Sequence, residues 1–173
     1  MEWSKERQMS ELPRAGLTEP PASTMQMLAH APMSDVIDAL AGRRITARAL
    51  AEFYLARIAA YDRDGPKLNS VRALNPDALA GTRPSAQRPL AGVPILLKDN
   101  IATGDEQPTT AGSLALEGAR ARDDATIVKL LRSAGAVILG KANLTEFANM
   151  LAIDMPSGYS SLGGQVRTPT HQG

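Results

Sequence analysis

The 173-residue chain contains no cysteine. That absence excludes disulfides, thiolate metal sites and a cysteine nucleophile. Histidine is almost missing. His30 and His171 lie far apart in sequence, and neither has a second ligand at metal-binding spacing. A Ser-His-Asp triad is also poorly supplied, since each histidine is expected near a chain end. Aromatic residues make up only 3% of the chain, so its core must be built from Leu, Ile, Val and Ala. There is no excess of one charge. The net value of +1 gives no case for nucleic acid or an acidic membrane surface as a partner. No apolar run approaches the ~18 residues of a membrane span. The opening Met1-Glu2-Trp3-Ser4-Lys5-Glu6-Arg7 is mixed in charge, with no apolar stretch behind it, which argues against a secretory signal. The cytoplasm is the expected compartment.

What is present suits one globular domain with a real core: 43% apolar and 21% charged residues. Residues 1–32 hold Pro13, Pro20, Pro21 and Pro32 without sustained periodicity and read as a flexible N-terminal arm. Ser34 is placed to cap a short helix through Leu40 that Gly42 ends, and Thr46 to cap a longer one. The second helix keeps Ala47, Leu50, Ala51, Tyr54, Leu55 and Ile58 on one face. Asp64-Gly65-Pro66 is a turn, Asn69–Leu74 a strand, Pro76 the start of a helical stub, and residues 81–89 a loop. Asp123 or Asp124 is expected to cap a helix with Ile127, Leu130, Leu131 and Ala134 inward, stopped by Gly135. That helix joins the apolar runs Val93–Leu97 and Ala136–Leu139, an order that implies a parallel pair of strands. Thr145–Ala148 should begin another helix.

The first apolar run ends in Lys98. Burial disfavours an ammonium and lowers its pKa, and a lysine that sheds its proton near neutrality can act as a base. Lys141, at the end of the second run, reads instead as a solvated strand end. Thr109-Thr110-Ala111-Gly112-Ser113 reads as a turn held by hydroxyl–backbone bonds.

Five stretches in order resemble the amidase signature family. They are Leu90-x-Gly92-Val93-Pro94 through Lys98-Asp99-Asn100, and Thr109-Thr110-x-Gly112-Ser113. Next come Asp124-Ala125-x-x-Val128-x-x-Leu131-Arg132-x-Ala134-Gly135-Ala136 and Gly140-Lys141-x-Asn143-x-x-Glu146-Phe147-Ala148. The last is Ser157-Gly158-Tyr159-Ser160-Ser161-x-Gly163-Gly164-Gln165. Together they cover roughly residues 34–167. The resemblance implies an α/β fold: the N-terminal portion of an amidase-signature mixed β-sheet core flanked by helices. It also implies hydrolysis of amide carbon–nitrogen bonds by a Ser–cis-Ser–Lys triad, with no metal or organic cofactor. Lys98 would be the catalytic lysine, drawing a proton through a bridging serine from a nucleophilic serine. Free lysine titrates near ~10.4, so such a base must be lowered to roughly 7–8. An ionised Asp99 would oppose that lowering unless other donors held it.

Family members carry both serines and the oxyanion hole on a Gly- and Ser-rich segment beyond the Ser157–Ser161 stretch. Residues 1–173 stop short of it. After Gln165-Val166-Arg167 the family tends to continue Asn-Pro-Tyr, whereas this chain reads Thr168-Pro169-Thr170-His171-Gln172-Gly173. Ser157, Ser160 and Ser161 belong to the preceding loop and do not inherit the nucleophile role. A second departure is the short connection at 80–89. The expectation is a partial amidase domain over 33–173, truncated before the catalytic serines and incomplete by itself. A truncated gene, a frame change near residue 168 and one half of a split pair all fit, and Met1, Met25 and Met27 all remain candidate starts. The expected ligand of a complete protein is a small-molecule amide. The expected partner is a complementing C-terminal chain or a second copy. Two other readings stay open: a non-catalytic pseudo-enzyme or interaction module, and an amidotransferase subunit-like fragment.

Overall fold

The computed structural model describes residues 22–82 and 88–168. Three strands make its main sheet in the order β1-β3-β2. β2 (Pro94–Lys98) and β3 (Val137–Ala142) run parallel, and β1 (Val71–Leu74) lies antiparallel on the other side of β3. The expected parallel pair is therefore present, joined through helix α4 (Thr126–Ser133). Pro94 stands at the start of its strand, where a missing N–H costs least.

Central β3 is buried along nearly its whole length. Val137 and Leu139 pack with Ala51 of helix α3 (Ala47–Arg57) on one face. Ile138 packs with Leu97 and Val128 of α4 on the other. Alternation along one strand thus places helices on both sides of the sheet. A bulge interrupts the β2–β3 register between Ile95 and Leu96. Gly140 sits where β1 crosses most closely, and a Cβ there would collide with the Ala73 carbonyl.

Helices α1 (Ala22–Leu28) and α2 (Met33–Ala41) close the end of α3. Met25, Leu28, Val36, Ala39 and Ile45 bury against Leu50. The arm expected over 1–32 therefore has a packed helix in its last third, while Pro13, Pro20 and Pro21 lie outside the described residues. Thr46 caps α3 as expected, its hydroxyl accepting from the Ala49 N–H at 3.0 Å. Gly42 follows α2, but Ser34 is not its cap: Pro32 holds that position, and the Ser34 hydroxyl donates to Asp35.

Other expectations need correction. The segment after Pro76 forms only hydrogen-bonded turns. α4 starts from Ala125 with no side-chain cap. Asp124 is occupied elsewhere, accepting from the Gly104 N–H at 2.8 Å and pairing with Arg132 at 3.0 Å. The buried face of α4 centres on Val128, while Ile127 and Leu130 are 50% and 59% exposed. Thr145–Ala148 does not open a regular helix. Glu146–Asn149 is a 3₁₀ turn in which Phe147 and Ala148 have φ of 46° and 55°. His171 lies outside the described residues, as does most of the 81–89 loop.

Candidate active site

Lys98 is the last residue of β2, paired with Ala142. Its side chain is exposed rather than buried, and its ammonium has no hydrogen bond or ion pair to a described residue. Leu97 turns into the α4 core, so by regular alternation along β2 Lys98 takes the opposite, open face with Leu96. What is fixed is the backbone around it. The Ile101 N–H returns to the Lys98 carbonyl at 2.9 Å, and the Asp99 N–H reaches the Ala142 carbonyl at 3.0 Å.

Asp99 is fully buried. A buried carboxylate is tolerable only when donors surround it. The Thr110 hydroxyl donates to it, the Thr110 N–H lies at 3.4 Å, and Arg72 Nε stands 3.8 Å away. The carboxylate beside Lys98 is thus held by other donors, as the lysine's expected role requires. Thr110 also accepts from the Gly112 N–H at 3.1 Å, which is the hydroxyl-braced turn expected of the 109–113 loop. Gly112 has φ +77°, and a Cβ on it would stand 2.6 Å from Ser160 Cβ, so this glycine admits the serine loop.

That loop is a hairpin of β4 (Tyr159–Ser160) and β5 (Gly164–Gln165). The Leu162 N–H binds the Gly112 carbonyl at 2.9 Å, and the Phe147 N–H binds the Ala111 carbonyl at 2.9 Å. The Ala111 N–H binds the Asp99 carbonyl at 3.0 Å. The Lys98 turn, the threonine loop, the 146–149 turn and the serine hairpin therefore form one hydrogen-bonded platform. Ser160 is buried in it, accepting from the Gly163 N–H at 3.0 Å and donating to Asn143 at 3.3 Å. Ser161 accepts from the Leu114 N–H, and its own N–H donates to Glu146 at 2.8 Å. That N–H draws the Glu146 carboxyl below its ordinary range.

Lys141 departs most from expectation. It is 0% exposed, where a solvated strand end was expected. Its ammonium donates to the Ile101 carbonyl at 2.5 Å and to Thr109 Oγ1 at 3.0 Å. Burial pushes it below the ordinary lysine range, while Asp99, Asp105 and Asp124 pull back toward the charged form. Nearby, burial would raise the Asp105 carboxyl, but Gln107 and Arg132 donate to it and leave it lowered. The signal for Lys141 was available: it follows an apolar run, one glycine beyond its end, much as Lys98 does. Arg72 and Asn143 were also missed. Asn143 bonds to Asn69 and Gly163, tying β3 to both neighbouring loops.

Among the described residues there is no group of three or more side chains suited to hold a metal ion. No described helix is long and apolar enough to cross a membrane.

Known proteins match this arrangement. The Amidase family matches residues 49–173. A probable amidase of Arabidopsis thaliana is 41% identical over 149 residues, which is 80% of this chain and 28% of that protein. One of the glutamyl-tRNA(Gln) amidotransferase subunits of Chloroflexus aurantiacus is 43% identical over 133 residues, covering 72% of this chain and 26% of its own length. The native peptide amidase of Stenotrophomonas maltophilia superposes with a TM-score of 0.76 at 46% identity, over 82% of this chain and 30% of that one. The chain spans less than a third of the length of these relatives. Agreement in sequence over most of the chain, and in backbone with a solved peptide amidase, establishes that the chain belongs to the amidase signature family.

Proposed function

We propose that these residues carry the general base of an amide hydrolase, and that Lys98 is that base. In this reading the Lys98 amine takes a proton from a bridging serine, which takes one from the nucleophilic serine. The freed oxygen attacks the amide carbon, and the proton returns to the leaving nitrogen. In this reading both serines belong to a segment outside residues 1–173, and the expected outcome for the 173 residues by themselves is no turnover. The observation that carries the proposal is the placement of Lys98: an amine with no partner among the described residues, on an open face, beside an Asp99 carboxylate that other donors hold.

Ser160 and Ser161 support it from the other side. Both hydroxyls are committed to holding the platform, which suits scaffold rather than nucleophile. Glutamine, a small free carboxamide, is a second amide to try.

The test is ammonia release from a peptide amide and from glutamine. It compares the chain alone with the chain joined to a family segment bearing the two serines. Activity is expected only in the joined protein, and Lys98→Ala there should lower it about 10²–10⁴-fold. Full activity in Lys98→Ala would remove Lys98 from the mechanism. Turnover by the 173 residues alone would move the search to Ser157, Ser160 and Ser161.

A further inference from the structure

Lys141 is a buried ammonium that the reaction above does not use. Burying such a charge is costly unless hydrogen bonds satisfy it. Its placement beside the Lys98 turn therefore calls for a reason.

β2 fixes Lys98 only from the N-terminal side. After Lys98 the chain leaves the ladder, and residues 99–110 contain no helix or strand. The direction of the Lys98 side chain then depends on what holds the outgoing leg. Asp99 is held by Ala142, Ala111 and Thr110. Two residues further, the Ile101 carbonyl receives the Lys141 ammonium at 2.5 Å. The same ammonium reaches Thr109 at 3.0 Å, so it ties the outgoing leg to the start of the threonine loop. An apolar side chain would leave that carbonyl empty. The carboxylates of Asp99, Asp105 and Asp124 favour the charged form of the clamp.

We infer that Lys141 is a positioning residue: its ammonium fixes the outgoing leg of the turn and so aims Lys98 at the serine it must deprotonate. This rests on Lys98 being the base, but its first test does not.

In the 173-residue chain, amide hydrogen exchange would be followed at Ile101 and Ala111, whose N–H groups bind the Lys98 and Asp99 carbonyls. Lys141→Met should speed exchange at both about tenfold, with Val137 in the ladder unchanged. In the joined, active protein, Lys141→Met should cut kcat about ten- to a hundredfold with KM little changed, and Lys141→Arg should recover part of that. Leu50→Ala, destabilising in the helical core with Met25 and Val36, is the control and should leave kcat near the parent value. If Lys141→Met keeps Ile101 and Ala111 protected, or loses no more kcat than Leu50→Ala, the inference is overturned. Should Lys141→Met not fold, Thr109→Val removes one partner of the clamp and keeps the ammonium. It should speed Ile101 exchange and lower kcat, and no change in either overturns the inference equally. Full activity in Lys98→Ala would instead remove the base while leaving the exchange result intact, so the two failures are distinguishable.

Discussion

Two lysines stand near the ends of the two parallel strands of the sheet, Lys98 last on β2 and Lys141 next to last on β3. In sequence they are near twins, each following a short run of Leu, Ile and Val, with Gly140 interposed before Lys141. In the structure they are opposites. Lys98 is exposed and without a partner among the described residues, whereas Lys141 is fully buried with two acceptors at its ammonium. The irregular register of β3 sets Lys141 opposite Leu97 on the α4 side, whereas Lys98 points to the other side of the sheet with Leu96. Position in the sheet, more than the apolar run itself, decides whether a terminal lysine is structural or available for chemistry.

The comparison breaks most visibly at Lys98→Ala. In an active form of the protein, turnover should fall about 10²–10⁴-fold while stability stays within about 0.5 kcal/mol, since an exposed side chain with no partner among the described residues is lost. Paired urea titrations and ammonia assays would show that split. At Lys141→Met the larger change is in folding. The Ile101 carbonyl loses its donor, and the urea midpoint should report a loss of about 1–3 kcal/mol. A Lys141→Met variant as stable as Lys98→Ala would erase the contrast.

Alkaline pH sharpens it further. The folded protein holds the Lys141 proton less tightly than the unfolded chain, whose lysine keeps its ordinary value of 10.5. Between the lowered folded value and 10.5 the unfolded state carries the extra proton, so this residue makes stability rise with pH across that window. Subtracting the pH–stability curve of Lys141→Met from that of the parent should leave such a rise. A flat difference would show that Lys141 is not depressed. The smallest effect belongs to Arg48, a surface cation paired with Glu52 at 2.8 Å, both half-exposed. Arg48→Ala should cost at most about 0.5 kcal/mol in the same titration, the floor for a solvated helix pair.

Much of the fold was legible because local chemistry and tertiary structure agree. Thr46 caps α3, Gly42 and Gly135 end their helices, and the parallel pair follows from strand, helix and strand order. The 109–113 loop is the hydroxyl-braced turn its threonines suggest. Disagreements arise where long-range partners outcompete local ones. Asp124 would cap α4 in isolation but is taken by Gly104 and Arg132. The 146–149 segment has helical composition, yet Phe147 is tied to Ala111 in a left-handed turn. Periodicity for α4 points to Ile127 and Leu130, but Val128 is the residue that meets Leu97 and Ile138.

Sequence alone determined the family, the mixed α/β architecture and the candidacy of Lys98. Each is written in residue types and spacings that survive without neighbours. The tertiary structure alone decided that Asp99 is buried among Thr110 and Arg72, that the serine hairpin docks on Gly112, and that Lys141 is the enclosed lysine. Each depends on groups distant in the chain meeting at one place. Their burial and partners are properties of that meeting, and no local pattern encodes them.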